Sequence, residues 1–174
     1  MEIILKPTGI VKSPIKSPSL AADNTHINMT QKKEEMKQQH RELKEMVSHI
    51  IIDETCEDLL DGIEEFSHIL VLYWPHLVPE KSREFLKVHP MGRKDLPKKG
   101  IYATCSPARP NPILVTAVKL VSRKGNVLEV QGFEAVDESP VLDIKPYVNH
   151  YYCPQDVRVA GWMRDLTEEL EDPS

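Results

Sequence analysis

Long apolar runs are missing from this 174-residue chain: the longest, Ile69 to Trp74, is far too short to cross a bilayer. Met1 to Ile10 lacks the basic start and apolar core of a secretory signal, so a soluble, cytoplasmic protein is expected. Excess positive charge is missing too. A net charge of −5 argues against a protein that coats nucleic acid non-specifically, while leaving room for a local basic patch. Cysteine is scarce, and Cys56, Cys105 and Cys153 form no Cys-x-x-Cys pair, so reduced thiols are expected rather than a disulfide framework or a structural zinc site. His68, His76 and His89 have no ligand-like spacing, which leaves metal binding without support. Neither Gly-x-Gly-x-x-Gly nor a Walker loop occurs, and the two commonest phosphate-cradling devices are thereby unsupported. Aromatic residues make up only 6% of the chain against 40% hydrophobic in all, which predicts a real but aliphatic core.

What is present suits one domain over residues 1–174. Ile3 to Lys12, interrupted by Pro7 and Gly9, reads as an edge or bulged strand, and Ser13 to Asn24 as loop. From Asn28 or Thr30 to about Val47 the composition is that of a charged helix, with Thr30 as a candidate N-cap. Met29, Met36, Leu43, Met46 and Ile50 form a narrow heptad-like stripe along it, suited to resting on its own domain or to pairing with a second subunit. Strands are expected at Ser48 to Asp53, Ser67 to Trp74, Leu114 to Arg123, Val127 to Gly132 and Val141 to Lys145. The third and fourth are joined through Lys124-Gly125-Asn126 as a hairpin, a short helix falls at Glu57 to Leu60, and another near Gly161 to Leu170. Many short strands with few helices predict a mainly β, antiparallel barrel or sandwich.

The charge is two-sided. Lys81 to Lys99 holds seven bases against two acids, whereas Asp53 to Glu65 holds seven acids and no base. The basic run reads equally as a solvated loop or as a patch facing an anion or RNA.

Tyr102 to Pro112 carries Pro107, Pro110 and Pro112, which exclude a helix interior or a central strand and stiffen the loop. Arg109 and Asn111 are therefore held on a backbone with little freedom, as part of a connector or as a preorganised site. In Asp137 to Tyr147, strand alternation places Val141 and Asp143 on one face and Leu142 on the other. Asp143 would then need a partner, either Lys145 or Arg109.

Together, Ala103-Thr104-Cys105-Ser106-Pro107-Ala108-Arg109-Pro110-Asn111-Pro112-Ile113 and Pro140-Val141-Leu142-Asp143-Ile144-Lys145-Pro146-Tyr147 resemble the two signature stretches of the TsaA-like family, the tRNA methyltransferase TrmO group. Thr8 to Pro14, Leu60 to His68 and Val88-His89-Pro90 resemble further family segments in order; only Lys16 to Val47 falls outside the likeness. The resemblance implies a small antiparallel β-barrel, here with a charged helical insertion at about 17–47 and a short C-terminal helix, commonly paired as a homodimer. It implies binding of S-adenosylmethionine and methylation of the N6 amino group of the threonylcarbamoylated adenosine 3′ of the tRNA anticodon. It carries over a cofactor site at His76, Cys105, Arg109, Asn111, Val115 and the turn Asp137, Glu138, Ser139 and Pro140. Asp143 and Asp137 stand as candidate proton acceptors, and Arg93, Lys94, Lys98 and Lys99 as candidate contacts to the anticodon loop.

Three departures stand out. The family commonly has arginine in place of Cys105, and a thiol removes a fixed charge and a fork of donors. Its Asp-Gly-Thr-Pro turn is Asp137-Glu138-Ser139-Pro140 here, with a side chain where glycine lets backbone approach a ligand. The helix within Lys16 to Val47 replaces a shorter segment that helps to close the site in relatives.

Overall fold

In the computed structural model, which describes residues 2–18, 20–22, 27–29 and 33–171, the apolar strands curl into a closed barrel. Its members are β1 (Gly9–Lys12), β4 (Val47–Ile52), β5 (His68–Tyr73), β8 (Leu114–Lys124), β9 (Val127–Gln131) and β10 (Pro140–Pro146). Around the barrel they run β1-β10-β5-β8-β9-β4, every neighbouring pair antiparallel, and β4 closes on β1. Closure removes the free edges that an open sheet would expose. β1 and β4 approach so closely that a Cβ on Gly9 would lie 2.9 Å from Ile52 Cα and closer still to the Ile51 carbonyl oxygen. Only glycine fits there.

The barrel interior is aliphatic, as the composition predicts. Val11, Ile50, Ile69, Val71, Leu128, Val130 and Val141 are wholly buried, and Phe133 meets Tyr73 edge to face at 5.1 Å. Outside the barrel lie two ribbons, β2 (Leu20–Ala22) with β3 (Ile27–Met29) and β6 (Lys87–Val88) with β7 (Lys99–Gly100). The helices are α1 (Lys33–Glu45), α2 (Asn149–Tyr152) and α3 (Gly161–Glu171). α1 packs on α3, with Lys44 Nζ 3.6 Å from Glu171. A second small core of Val88, Ile101 and Ala108, backed by Val78 and Phe85, ties the basic segment to the proline-rich loop.

Several boundaries differ from the sequence reading. The first strand begins at Gly9 rather than Ile3, and the expected loop at Ser13 to Asn24 contains β2, whose hydrogen-bonding partner β3 supplies what local propensity did not signal. The helix starts at Lys33, since Met29 belongs to β3; the N-cap candidate Thr30 lies outside the described residues. The heptad-like stripe is divided between elements. Met46 ends the helix through its N–H to the Leu43 carbonyl, and Ile50 is a barrel residue of β4.

The predicted sharing of a face by Val141 and Asp143 does not hold. Val141 pairs with Tyr73 while Asp143 pairs with the adjacent Leu72, so Leu142 is an extra residue and the strand bulges. The bulge turns Asp143 outward, where Lys145 Nζ sits 2.5 Å from its carboxylate. Of the two partners considered, the structure selects Lys145, and the pair raises the Lys145 ammonium pKa above its usual value.

Candidate functional site

At the end of β5 the chain passes through Trp74-Pro75 into a turn, and there a cavity of about 520 Å³ opens beside the barrel. Its floor is Tyr73 at the end of β5 with Leu114 and Val115 at the start of β8. Cys105, Arg109 and Ile113 of the proline-rich loop form one wall, and His76, Leu77 and Val78 another. Glu134 and Val136 follow β9, and His40, Leu43 and Leu170 bring α1 and α3 across it. The charged helix of the insertion therefore forms part of the enclosure.

As its prolines require, the loop runs without helix or strand from Thr104 to Ile113. Ala108 and Pro112 are buried beneath it. Arg109 staples the loop from inside: Nε donates to the Ser106 carbonyl at 2.9 Å and Nη2 to the Thr104 carbonyl at 2.5 Å, with the Ile101 carbonyl at 3.4 Å. Its Nη1 has no hydrogen-bond partner among the described residues. A guanidinium so fixed offers the cavity a positive charge at little further entropic cost. Cys105, standing where the family commonly has arginine, is an exposed thiol on the same wall.

His76 is oriented from behind by Ser139, a buried residue whose Oγ lies 3.4 Å from His76 Nδ1. The rest of the Asp137 to Pro140 turn supports the cavity without lining it. Asp137 accepts from the Ser13 N–H at 2.9 Å and from Lys16 at 2.6 Å, and Lys16 chiefly, then Ser13, holds its carboxyl below the usual range. Glu138 adopts φ 65°, the left-handed conformation that a glycine takes freely, and its carboxylate pairs with Lys12. The Pro140 carbonyl accepts from the Trp74 N–H at 2.9 Å and so joins the turn to the cavity entrance.

The structure thus brings His76, Cys105, Arg109 and Val115 together around one space. Asn111 is exposed on the loop, outside the lining, and the carboxylates of Asp137 and Asp143 are engaged by lysines elsewhere. Among the basic residues, Arg93 is held by Asp95 and Glu169, both at 2.6 Å, and these carboxylates raise its pKa. Lys99 lies 6.0 Å from the Trp162 ring centre. Lys94 and Lys98 are exposed with no ion pair among the described residues.

Tyr73 and Glu134 were not singled out in the sequence. Thr116 Oγ1 donates to Glu134 Oε1 at 2.5 Å and the Tyr73 hydroxyl donates to the same oxygen at 3.4 Å. Burial foremost, and then the Glu134 charge, push the Tyr73 hydroxyl pKa up, so it remains a proton donor. The alternation of buried Phe133, exposed Glu134 and buried Ala135 is visible in the sequence and keeps Glu134 out of the core. Nothing in the sequence indicates the cavity it borders. Among the described residues, no group of three or more His, Cys, Asp or Glu side chains is placed to hold a metal ion, and no helix is long and apolar enough to cross a membrane.

Comparison with known proteins agrees with the barrel fold. A probable S-adenosyl-L-methionine-binding protein of Methanothermobacter thermautotrophicus is 40% identical over 147 residues, covering 84% of this chain and 91% of that protein. An S-adenosyl-L-methionine-binding protein of Archaeoglobus fulgidus is 36% identical over 151 residues, covering 87% and 94%. The mouse tRNA (adenine(37)-N6)-methyltransferase is 40% identical over 115 residues, but that alignment covers 66% of this chain and 26% of the mouse protein. The crystal structure of TrmO from Pseudomonas aeruginosa superposes with a TM-score of 0.65 at 22% identity, over 91% of this chain and 62% of that one. The chain thus spans about three fifths of the solved TrmO chain. The model of the tRNA-methyltransferase O N-terminal domain matches residues 26–153. With that match spanning most of its length, the chain belongs to the TrmO family.

Proposed function

We propose that this protein is an S-adenosylmethionine-dependent methyltransferase acting on the N6 amino group of the threonylcarbamoylated adenosine next to the tRNA anticodon. The observation that carries the reading is the cavity of about 520 Å³, within the roughly 300–1,000 Å³ that ligands of this size occupy. Its lining also fits a cationic amino-acid nucleoside. Arg109 offers a charge for a carboxylate, Val115 and Leu114 an apolar wall for a base, and Glu134 an anion for a cation. The archaeal relatives named as S-adenosyl-L-methionine-binding proteins and the mouse methyltransferase support the same ligand and reaction.

When bound, the cofactor would supply an electrophilic methyl group. The protein's own contribution is placement. The stapled loop holds Arg109 and Cys105, Ser139 orients His76, and α1 with α3 lines one side of the cavity. Positioning of this kind is worth roughly 7–11 kcal/mol of a barrier. The target base belongs to a single-stranded loop, whose edge a protein reaches without opening a duplex. Lys94 and Lys98, exposed and without an ion pair among the described residues, suit its phosphates. In this reading the chain is one domain with a helical insertion, works in the cytoplasm and pairs as a homodimer.

Two measurements test it. Calorimetry with S-adenosylmethionine should show saturable binding, and tRNA from cells lacking the gene should lose the methylated threonylcarbamoyl-adenosine. Binding with unchanged tRNA would leave a cofactor-binding module or a methyltransferase of another substrate. That second reading draws on Asp137 and Asp143, the acids suited to accept a proton, which are both engaged by lysines outside the cavity.

A further inference from the structure

Glu134 is the one acid that lines the cavity among the described residues; Arg109, His76 and His40 line other parts of it. Both hydroxyls that hold it come from the barrel: Thr116 on β8 and Tyr73 on β5, adjacent strands in register. They converge on Oε1 alone, at 2.5 Å and 3.4 Å, and Oε2 has no hydrogen-bond partner among the described residues. No lysine or arginine forms an ion pair with this carboxylate among the described residues. Asp137, Glu138 and Asp143 differ in this respect, each being paired with a lysine. A carboxylate oxygen left unpaired at the edge of the cavity attracts a cation that enters it.

We infer that Glu134 sets the charge preference of the cavity, favouring a sulfonium nucleoside over the neutral thioether of nearly the same shape. This rests on the proposed function. S-adenosylmethionine and S-adenosylhomocysteine share every recognition group except the methyl and its positive charge, so a contact to adenine, ribose or carboxylate binds both alike. Glu134 is the group able to tell them apart by charge. Its free oxygen attracts the cofactor and gives the spent product no equivalent contact, which makes Glu134 a specificity determinant whether or not it moves a proton.

Calorimetry on the full chain with each of these two compounds tests the inference, in the wild type, Glu134→Gln and Glu134→Asp. The ratio of thioether to sulfonium dissociation constants should fall about tenfold in Glu134→Gln, the equivalent of about 1.4 kcal/mol, through weaker sulfonium binding. Glu134→Asp should retain most of the ratio. An unchanged ratio in a Glu134→Gln protein that binds both compounds overturns the inference and leaves the proposed function standing. Failure of the wild type to bind either compound overturns both. Should Glu134→Gln not fold, the wild type decides alone: thioether bound more tightly than sulfonium overturns the inference, and the reverse order supports it.

Discussion

The Tyr73 hydroxyl stands 3.4 Å from Oε1 of Glu134, although 61 residues separate them in the chain. One residue ends a buried strand and the other follows a hairpin, and barrel closure makes them neighbours at the cavity floor. Because the phenol is both buried and beside an anion, the fold favours its neutral form. Its contribution to stability is therefore intact below the ordinary value of 10.0 and is lost as pH rises above that value toward the raised folded one. Tyr73→Phe should flatten the alkaline fall in melting temperature above about pH 10. At pH 7 the same variant should lose no more than about 0.5 kcal/mol, the low end for hydrogen bonds this long.

Closure itself depends on Gly9. Gly9→Ala drives a methyl group into the backbone of β4, where no side chain can rotate away. The expected loss is about 1–3 kcal/mol or more, read as a lower denaturant midpoint with an unchanged slope.

Arg109 holds the proline-rich loop through three carbonyls, and a lysine cannot reproduce that fork. Arg109→Lys should raise amide exchange across residues 104–113 while the barrel strands keep their protection. The change in local opening free energy should be about 1–3 kcal/mol.

At Glu138 the backbone φ of 65° decides which substitutions are tolerated. Glu138→Gly relieves a left-handed side chain and gives up only a surface pair with Lys12, so its stability should lie within about 1 kcal/mol of wild type. Glu138→Val puts a branched side chain in the same conformation and should cost about 1–3 kcal/mol. Thermal melts of the two variants compare them directly.

Lys94 and Lys98 test the proposed contact to RNA. Replacing both with glutamate should weaken tRNA binding and lower the slope of log affinity against log salt by about 0.7–0.9 for each phosphate left without its cation. S-adenosylmethionine affinity should not change. Unaltered tRNA affinity would move the RNA surface elsewhere on the molecule.

These strands and the hairpin were legible because β-branched or apolar runs and turn residues act locally: Ile50 to Ile52, Ile69 to Tyr73 and Lys124 to Asn126 needed no partner to be recognised. The stiffness of the Tyr102 to Pro112 loop was equally local, fixed by proline chemistry. The short β2–β3 ribbon was not legible, since cross-strand hydrogen bonds define it more than composition does. The Leu142 bulge escaped for a related reason. Alternation predicts the face of Asp143 only while the register is uniform, and the register is a property of two strands.

By itself the sequence determined the barrel class, the family and the wall carrying Arg109 and Cys105. Tertiary structure decided that Asp137 pairs with Lys16 and Asp143 with Lys145 rather than Arg109, both outside the cavity, that Arg93 is occupied by Glu169 from α3, and that Glu134 borders the cavity. The physical reason is that a charged group's role follows from its nearest partner: Asp143 takes a lysine two residues away because the bulge turns it outward, whereas Lys16 reaches Asp137 and Glu169 reaches Arg93 from far away in the chain.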